Sequence, residues 1–285
     1  MQFTFQLTAR NETTTKRLLD RYGVSHRLFK RMADGHAITV KGKTVGNVPL
    51  ASGDQVIFAL PTDKPVVPAD GNLDILFEDE NWLVVNKPGG CASVPGPSNP
   101  RGSLLNVVAG YLVQQGYDAA QPAIITRLDR DTAGVVLVAK HPLAQARLDR
   151  LGVDQTVHKE YLAVVGGVVP QNWGRLEVAL GRDQDGVHRR VYSAGQYART
   201  DYVVLKRGQQ ATLVRCTLRT GRTHQIRVHM AYLGHPLVGD ALYGGDVSVQ
   251  EGQALLAQRL VFTDPFTNHT VDVQCPVPAA LTRLL

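Results

Sequence analysis

Apolar positions recur along the chain with two periods, and the switches between them mark out its elements. Leu18, Leu19 and Tyr22 fall on one helical face of the segment Lys16–Tyr22. Ser25 stands where it can cap a second helix, with Leu28, Phe29 and Met32 at helical spacing and Gly35 placed to end it. The stretch AITVKGKTV then gives two short β-rich runs around Gly42, the signature of a hairpin. Ser52-Gly53-Asp54 predicts a turn before a strand over Val56–Leu60. The next segment, PTDKPVVPAD at 61–70, carries three prolines in eight positions and predicts a stiff, extended connection outside any sheet. The expected division is a small α+β domain at 1–62, a Pro-rich linker at 63–71 and a body at 72–285.

In the body, LDILFEDENWLVVNKP holds two apolar runs about an acidic turn. Ser103 can cap an amphipathic helix through Gln115, lined by Leu104, Leu105, Val107, Val108, Tyr111 and Leu112. Ile124–Leu128 and Val135–Ala139 read as strands flanking the polar loop DRDTAG, and Pro142–Leu151 as a helix. Tyr161–Val165, Leu176–Ala179, Tyr202–Leu205 and Thr212–Leu218 read as further strands. Thr223 is placed to cap a helix reaching about Leu233. Strands dominate without regular βαβ alternation. The expected fold is α+β, with a mixed, largely antiparallel β-sheet flanked by helices and loops.

Composition narrows the class. With 285 residues, 44% hydrophobic and 20% charged, the chain has the profile of ordinary globular proteins and room for about two domains. No stretch approaches the roughly 18 apolar residues of a membrane span. No basic segment followed by an apolar one opens the sequence, so no secretory signal is expected. Cys91, Cys216 and Cys275 stand singly, without metal-ligand spacing. A reduced, cytoplasmic protein without a structural zinc is expected. The formal charge of +6 is unevenly spread. Residues 1–62 hold 9 basic and 4 acidic residues, and residues 158–230 hold 12 and 5. The remainder is therefore net acidic. Two basic regions in an otherwise acidic chain suggest a polyanionic partner, while a solvated basic surface would give the same count.

Chemistry-bearing residues concentrate at three places. In Arg127-Leu128-Asp129-Arg130-Asp131-Thr132 an apolar run ends abruptly in charges. Asp129 and Arg127 alternate and so face one side. A carboxylate kept ionised by a cation in a cleft can act as nucleophile or base; an exposed turn with local ion pairs is the other reading. The second place is TGRTHQIRVH at 220–229. There Gly221 permits an unusual backbone angle, Arg222 lies beside a helix N-terminus suited to phosphate, and Arg227 points along one helical face into the body. His224 and His229, about 140° apart on a helix, cannot chelate one metal ion together. The third is HKEYLAVV at 158–165, where Tyr161 is either a sheet tyrosine or a stacking platform for a base.

The helix–helix–hairpin order of residues 1–62, with VKGK at its turn, resembles the small RNA-binding domain named after ribosomal protein S-four. The body resembles the RluA class of pseudouridine synthases. RLDRDTAGVVLVAK is similar to that family's HRLDxxTSG motif, and LFEDENWLVVNKPGG, KEYLAVVGG, ARTDYVVL, TGRTHQIRVHMAYLGHPLVGDALYGG and RLVFTDPFTN follow the family's order over roughly residues 72–278. The resemblance implies an isomerase converting uridine to pseudouridine without cofactor or metal. It places Asp129 at the single catalytic aspartate, Tyr161 at the tyrosine that packs on the target base, and Arg227 at the arginine paired with that aspartate. Arg127 falls at the arginine that fills the space of a flipped nucleotide. Arg222, His224 and Lys87 fall near the RNA, and Arg17, Arg27, Arg31, Lys41 and Lys43 on the N-terminal RNA-binding surface.

Thr126 replaces the usual histidine before RLD, and Ala133 the usual serine of TSG; altered substrate engagement with retained chemistry is inferred. Ribosomal RNA of the large subunit is the expected partner, with transfer RNA open, no membrane, and a monomer. A non-catalytic RNA-binding or ribosome-assembly factor on the same scaffold is the alternative. A metal-dependent nuclease lacks a ligand cluster.

Overall fold

The computed structural model describes residues 1–97, 99–117, 119–186 and 188–285. The N-terminal unit runs β1 (Thr4–Thr8), β2 (Thr13–Thr14), α1 (Thr15–Arg21), α2 (His26–Asp34), β3 (Ile38–Val40), β4 (Lys43–Thr44), β5 (Pro49–Leu50) and β6 (Gln55–Ala59). The Thr14 hydroxyl accepts the Arg17 N–H and the Ser25 hydroxyl accepts the Leu28 N–H, so each helix starts at a side-chain cap. Lys41 and Gly42 both have positive φ, 51° and 75°. They form the two-residue turn of the β3–β4 hairpin, whose twist matches the flanking strands. The four strands β1-β6-β3-β4 make one sheet against α1 and α2. β1 was not among the expected elements. TFQLT alternates like a half-buried strand, but it pairs with β6 about fifty residues on, a partner no local signal announces.

The body continues with β7 (Ile75–Glu78), β8 (Trp82–Lys87), α3 (Leu104–Gln114), β9 (Ala123–Ile124), β10 (Ala133–Ala139), α4 (Pro142–Leu151), α5 (Val153–Thr156) and β11 (Val157–Gly166). Then come β12 (Trp173–Glu177), β13 (Leu180–Arg182), β14 (Arg189–Val191), β15 (Arg199–Arg207), β16 (Ala211–Leu218) and α6 (Gln225–Tyr232). A 3-10 turn (Ala241–Tyr243), β17 (Leu255–Thr263), β18 (Thr270–Gln274) and α7 (Ala279–Thr282) close the chain. Ten strands form one sheet ordered β12-β15-β16-β11-β17-β10-β8-β7, with β18 on β17 and β9 on β10. β10 and β17 run parallel and the other named pairs antiparallel, the mixed sheet expected of the sequence.

Both faces of this sheet are covered. Leu83, Val85, Val136 and Val138 pack with α3 and α6 on one side. Trp82, Val84, Val135 and Leu137 pack with α4 on the other. That is why WLVV and VVLVA read as continuous apolar runs and not as alternating ones. The N-terminal unit seats on α4: Leu143 joins its core, and the Arg147 guanidinium donates to Tyr22 O at 3.0 Å while lying over the rings of Tyr22 and Phe266. The Pro-rich connection is extended and runs along α3, with Ala69 N–H donating to Asn106 O and Val66 N–H to Ala120 O.

Two expectations are corrected. The strand read over Ile124–Leu128 ends after Ile124, because the N–H groups of Ile125 and Thr126 both turn onto Leu137 O. The chain then leaves the ladder and carries its charged run out toward solvent. Thr223 does not cap α6. His224 occupies that position with φ of +57° and makes no side-chain cap bond, while the Gln225 side chain accepts the Arg222 N–H of the preceding turn at 3.0 Å.

Gly134 opens β10 with φ of +114°, and a Cβ there would collide with the Ala257 carbonyl of β17. Gly134→Ala is therefore expected to lower the urea-unfolding free energy by on the order of 3 kcal/mol, read as a lower midpoint at unchanged m.

Candidate active site

The charged run is held by its neighbours from behind. Ser93 clamps Leu128 at both backbone groups, donating to its carbonyl at 2.7 Å and accepting its N–H at 3.0 Å. Thr126 and Leu128 are buried, while Arg127 is exposed and Asp129 half-buried, so alternation sends the latter two into the cleft. Thr126, at the family histidine's position, turns its hydroxyl inward to accept the Leu137 N–H at 2.8 Å. Past Asp129 the loop is fastened by Lys87. Its ammonium is 0% exposed and donates to the carbonyls of Pro88, Cys91 and Arg130 at 2.7–2.9 Å. Burial pushes its pKa down to about 8, against the pull of Cys91, Asp131 and Asp129. Three carbonyl acceptors use all three ammonium protons. Lys87 is thus a loop staple, and the RNA contact expected of it is corrected: no donor and no surface remain for a phosphate.

Across the cleft, α6 presents Arg227. Its Nη1 donates to Asp129 Oδ2 at 3.1 Å. Its Nε and Nη2 donate to the two oxygens of Asp240 at 2.7 and 2.8 Å. Arg227 is 7% exposed and Asp240 1%. Burial alone would lower the guanidinium's pKa, but Asp240 and then Asp129 outweigh it and raise it. The left-handed backbone at His224 aims the imidazole between Asp129 and Tyr243. Its Nε2 lies 3.9 Å from Asp129 Oδ2, and its Nδ1 lies 2.8 Å from the Tyr243 hydroxyl. That hydroxyl also accepts the Arg189 N–H at 3.0 Å. Burial lowers the His224 pKa, with Asp129 opposing and Arg227 assisting, so the ring is neutral at pH 7.

Tyr161 enters from β11. Between Glu160 and Tyr161 the register against β17 slips by one residue, a bulge of the kind that re-aims a side chain at a site. Tyr161 is 6% exposed, and burial, reinforced by Asp129, raises its pKa strongly. It is a protonated, mostly apolar wall. The cleft measures about 660 Å³ and is lined by Asp129, Tyr161, Arg227, Arg127, Arg222 and His224 among others. At its rim Asp154 takes the Lys159 ammonium at 3.0 Å and the Gly221 N–H at 3.3 Å, with Arg222 at 4.0 Å. The site offers one half-exposed carboxylate with a fixed cation, a stacking wall, and cationic edges.

Six of the expected site residues converge on this cleft. Arg17, Arg27, Lys41 and Lys43 lie exposed on the N-terminal unit, outside it. Arg31 is partly covered and paired with Asp63, and Lys41 reaches Asp54 at 2.7 Å. Sequence reasoning missed Asp240, Tyr243 and Ser93. The block GHPLVGDALYGG contained the first two, but only the fold brings Asp240 to Arg227.

The family profile described as RNA pseudouridylate synthase matches residues 81–232. The chain is 38% identical over 258 residues to the uncharacterized RNA pseudouridine synthase YlyB of Bacillus subtilis, covering 88% of this chain and 85% of that one. It is 40% identical over 248 residues to ribosomal large subunit pseudouridine synthase D of Xylella fastidiosa, covering 81% and 73%. Among solved structures, human RNA pseudouridylate synthase domain containing 1 superposes with a TM-score of 0.61 at 26% identity, over 73% of this chain and 84% of that one. A profile spanning more than half of the chain, joined to relatives aligned over most of their length, makes this protein a member of the RNA pseudouridylate synthase family.

Proposed function

We propose that the protein isomerises specific uridines of large-subunit ribosomal RNA, with Asp129 as its one nucleophile acting on a flipped-out nucleotide. The observation that carries this reading is the Asp129–Arg227 pair, 3.1 Å apart in a cleft walled by Tyr161. The reaction breaks the bond from ribose to base nitrogen, turns the base and rejoins it through carbon 5. Nothing enters or leaves overall, so one carboxylate that forms and releases a covalent bond suffices, with no cofactor. Attack at the sugar and attack at the base both fit this geometry. Arg227 keeps Asp129 ionised and oriented. Tyr161 packs on the base, and its neutral phenol can give up its own proton as it takes the one from carbon 5, the base nitrogen released from the ribose gaining a proton in exchange, so that no phenolate persists.

A stacked nucleotide cannot reach Asp129, so it must flip, at a cost of a few kcal/mol. Arg127 at the cleft edge would fill the vacated stack, while Arg222 and His224 would hold the flanking backbone. In this reading residues 1–62 form an RNA-binding domain of the ribosomal protein S-four type, joined through 63–71 to a catalytic domain at 72–285. Arg17, Arg27, Arg31, Lys41 and Lys43 would meet phosphates away from the cleft. The large-subunit assignment draws on relatives such as synthase D of Xylella fastidiosa and on this second anchor, which suits a large structured substrate.

Asp129→Asn should form no pseudouridine while binding RNA within about threefold of wild type, since it removes a covalent step and keeps the shape. Full activity in Asp129→Ala would sink the nucleophile assignment. A pseudouridine map of cells lacking the gene should lose sites in large-subunit RNA that return with wild type and not with Asp129→Asn. Loss confined to transfer RNA would move the substrate there. Arg17→Ala and Arg27→Ala should each flatten the slope of log affinity against log salt by about one, as expected when a phosphate contact goes.

A further inference from the structure

Arg227 meets two carboxylates in different ways. An arginine facing one carboxylate commonly takes both oxygens side-on. Here the side-on edge, Nε and Nη2, is filled by Asp240, and Asp129 receives a single bond from Nη1 to Oδ2. No described residue donates to Asp129 Oδ1. Asp240 sits in a tightly built turn. Its N–H donates to Leu237 O at 3.1 Å, and its carbonyl accepts from Gly245 at 2.8 Å. A Cβ at Gly239 or Gly245 would strike the backbone of Gly252 or Leu237. Tyr243, three residues after Asp240, covers the face of the guanidinium at 5.1 Å. Arg227 is therefore fixed on one edge and one face before it meets Asp129.

We propose that Asp240 is a positioning residue: by filling the side-on edge of Arg227 it limits that cation to one oxygen of Asp129 and leaves Oδ1 open to the flipped nucleotide. The inference rests on the reading of Asp129 as nucleophile. Without Asp240, Arg227 would turn to grip both Asp129 oxygens, quenching the carboxylate it is meant to orient. Sharing one cation between two carboxylates also leaves more negative charge on Asp129 than a private pair would. The other groups facing Asp129 are His224 before α6, Tyr161 on β11, Lys87 on β8 and Tyr243 on the 3-10 turn.

The test compares wild type, Asp240→Asn and Asp240→Ser on large-subunit and transfer RNA purified from cells lacking the gene. Expected is a fall in kcat of about 100-fold, from misplacement of the reacting oxygen, with KM and RNA affinity within about threefold. The acid limb of kcat/KM should move to lower pH, because Arg227's whole charge then falls on Asp129 and the repulsion from Asp240 is gone. If either variant folds and keeps kcat within about threefold of wild type, the proposal fails. It also fails if kcat, affinity and melting temperature fall together with the acid limb unmoved, or if neither variant folds, since Asp240 is then structural. A wild type that forms no pseudouridine in either RNA would overturn the functional reading instead.

Discussion

The Arg227 guanidinium, shared between Asp129 and Asp240, is the constraint around which the cleft is arranged. An arginine as buried as this one is tolerated only when its donors are met, because a lone charge in a poorly polarisable interior costs several kcal/mol. Asp240, almost wholly buried, meets two of those donors and is itself neutralised by them. Removing Arg227 would leave Asp240 a buried charge without a partner, a loss of about 3–5 kcal/mol. Three separate segments must therefore arrive together: the loop after β9, helix α6, and the turn after Leu237. The mixed sheet helps to bring them together: β10 and β11 both border β17, and the run before β10 and residues within β11 line the same cleft.

Rigidity at the site comes from backbone held by side chains. Lys87 ties three carbonyls from two loops, and Ser93 clamps Leu128 at both backbone groups. Gln225 joins Thr220, Arg222, Arg199 and Thr200 beneath the turn that carries His224. All three side chains are buried. Each converts a loop, ordinarily the most mobile part of a fold, into a fixed platform.

Much of this was legible in the sequence, where the cause was local. Ser25 and Ser103 announced their helices because a cap needs only its own first turn; at Ser103 the cap is reciprocated by Asn106. The runs WLVV and VVLVA announced buried strands because burial on both faces removes the polar alternation. The family resemblance placed Asp129, Tyr161 and Arg227, and the geometry brings the three together. What escaped was set by partners distant in sequence. β1 and β18 take their identity from strands they pair with, and the bulge that aims Tyr161 depends on β17. His224, not Thr223, leads α6, in a left-handed turn that no local signal announces. The family resemblance set Lys87 near the RNA; only its surroundings reveal the three carbonyls it meets. Asp240 was invisible as a partner because thirteen residues and a tight glycine-bearing turn separate it from Arg227.

The charge distribution poses a last problem, because the cleft must admit a polyanion while holding two carboxylates against one arginine. The innermost charges, Asp129 and Asp240 against Arg227 and the buried Lys87, balance and so offer no net attraction to a phosphate backbone. The carboxylates are placed so that the backbone need not meet them. Asp240 is sealed from solvent, and Asp129 exposes about a quarter of its side chain. Around the opening, Arg127 and Arg130 are exposed and Arg222 partly so. In the proposed reading, a flipped nucleotide would present a neutral base and sugar to the interior and leave its phosphates at the rim. Flipping would then do more than give access. It would sort the substrate by charge, so that the inner carboxylates meet only the uncharged part of the RNA and the cationic edge meets the rest.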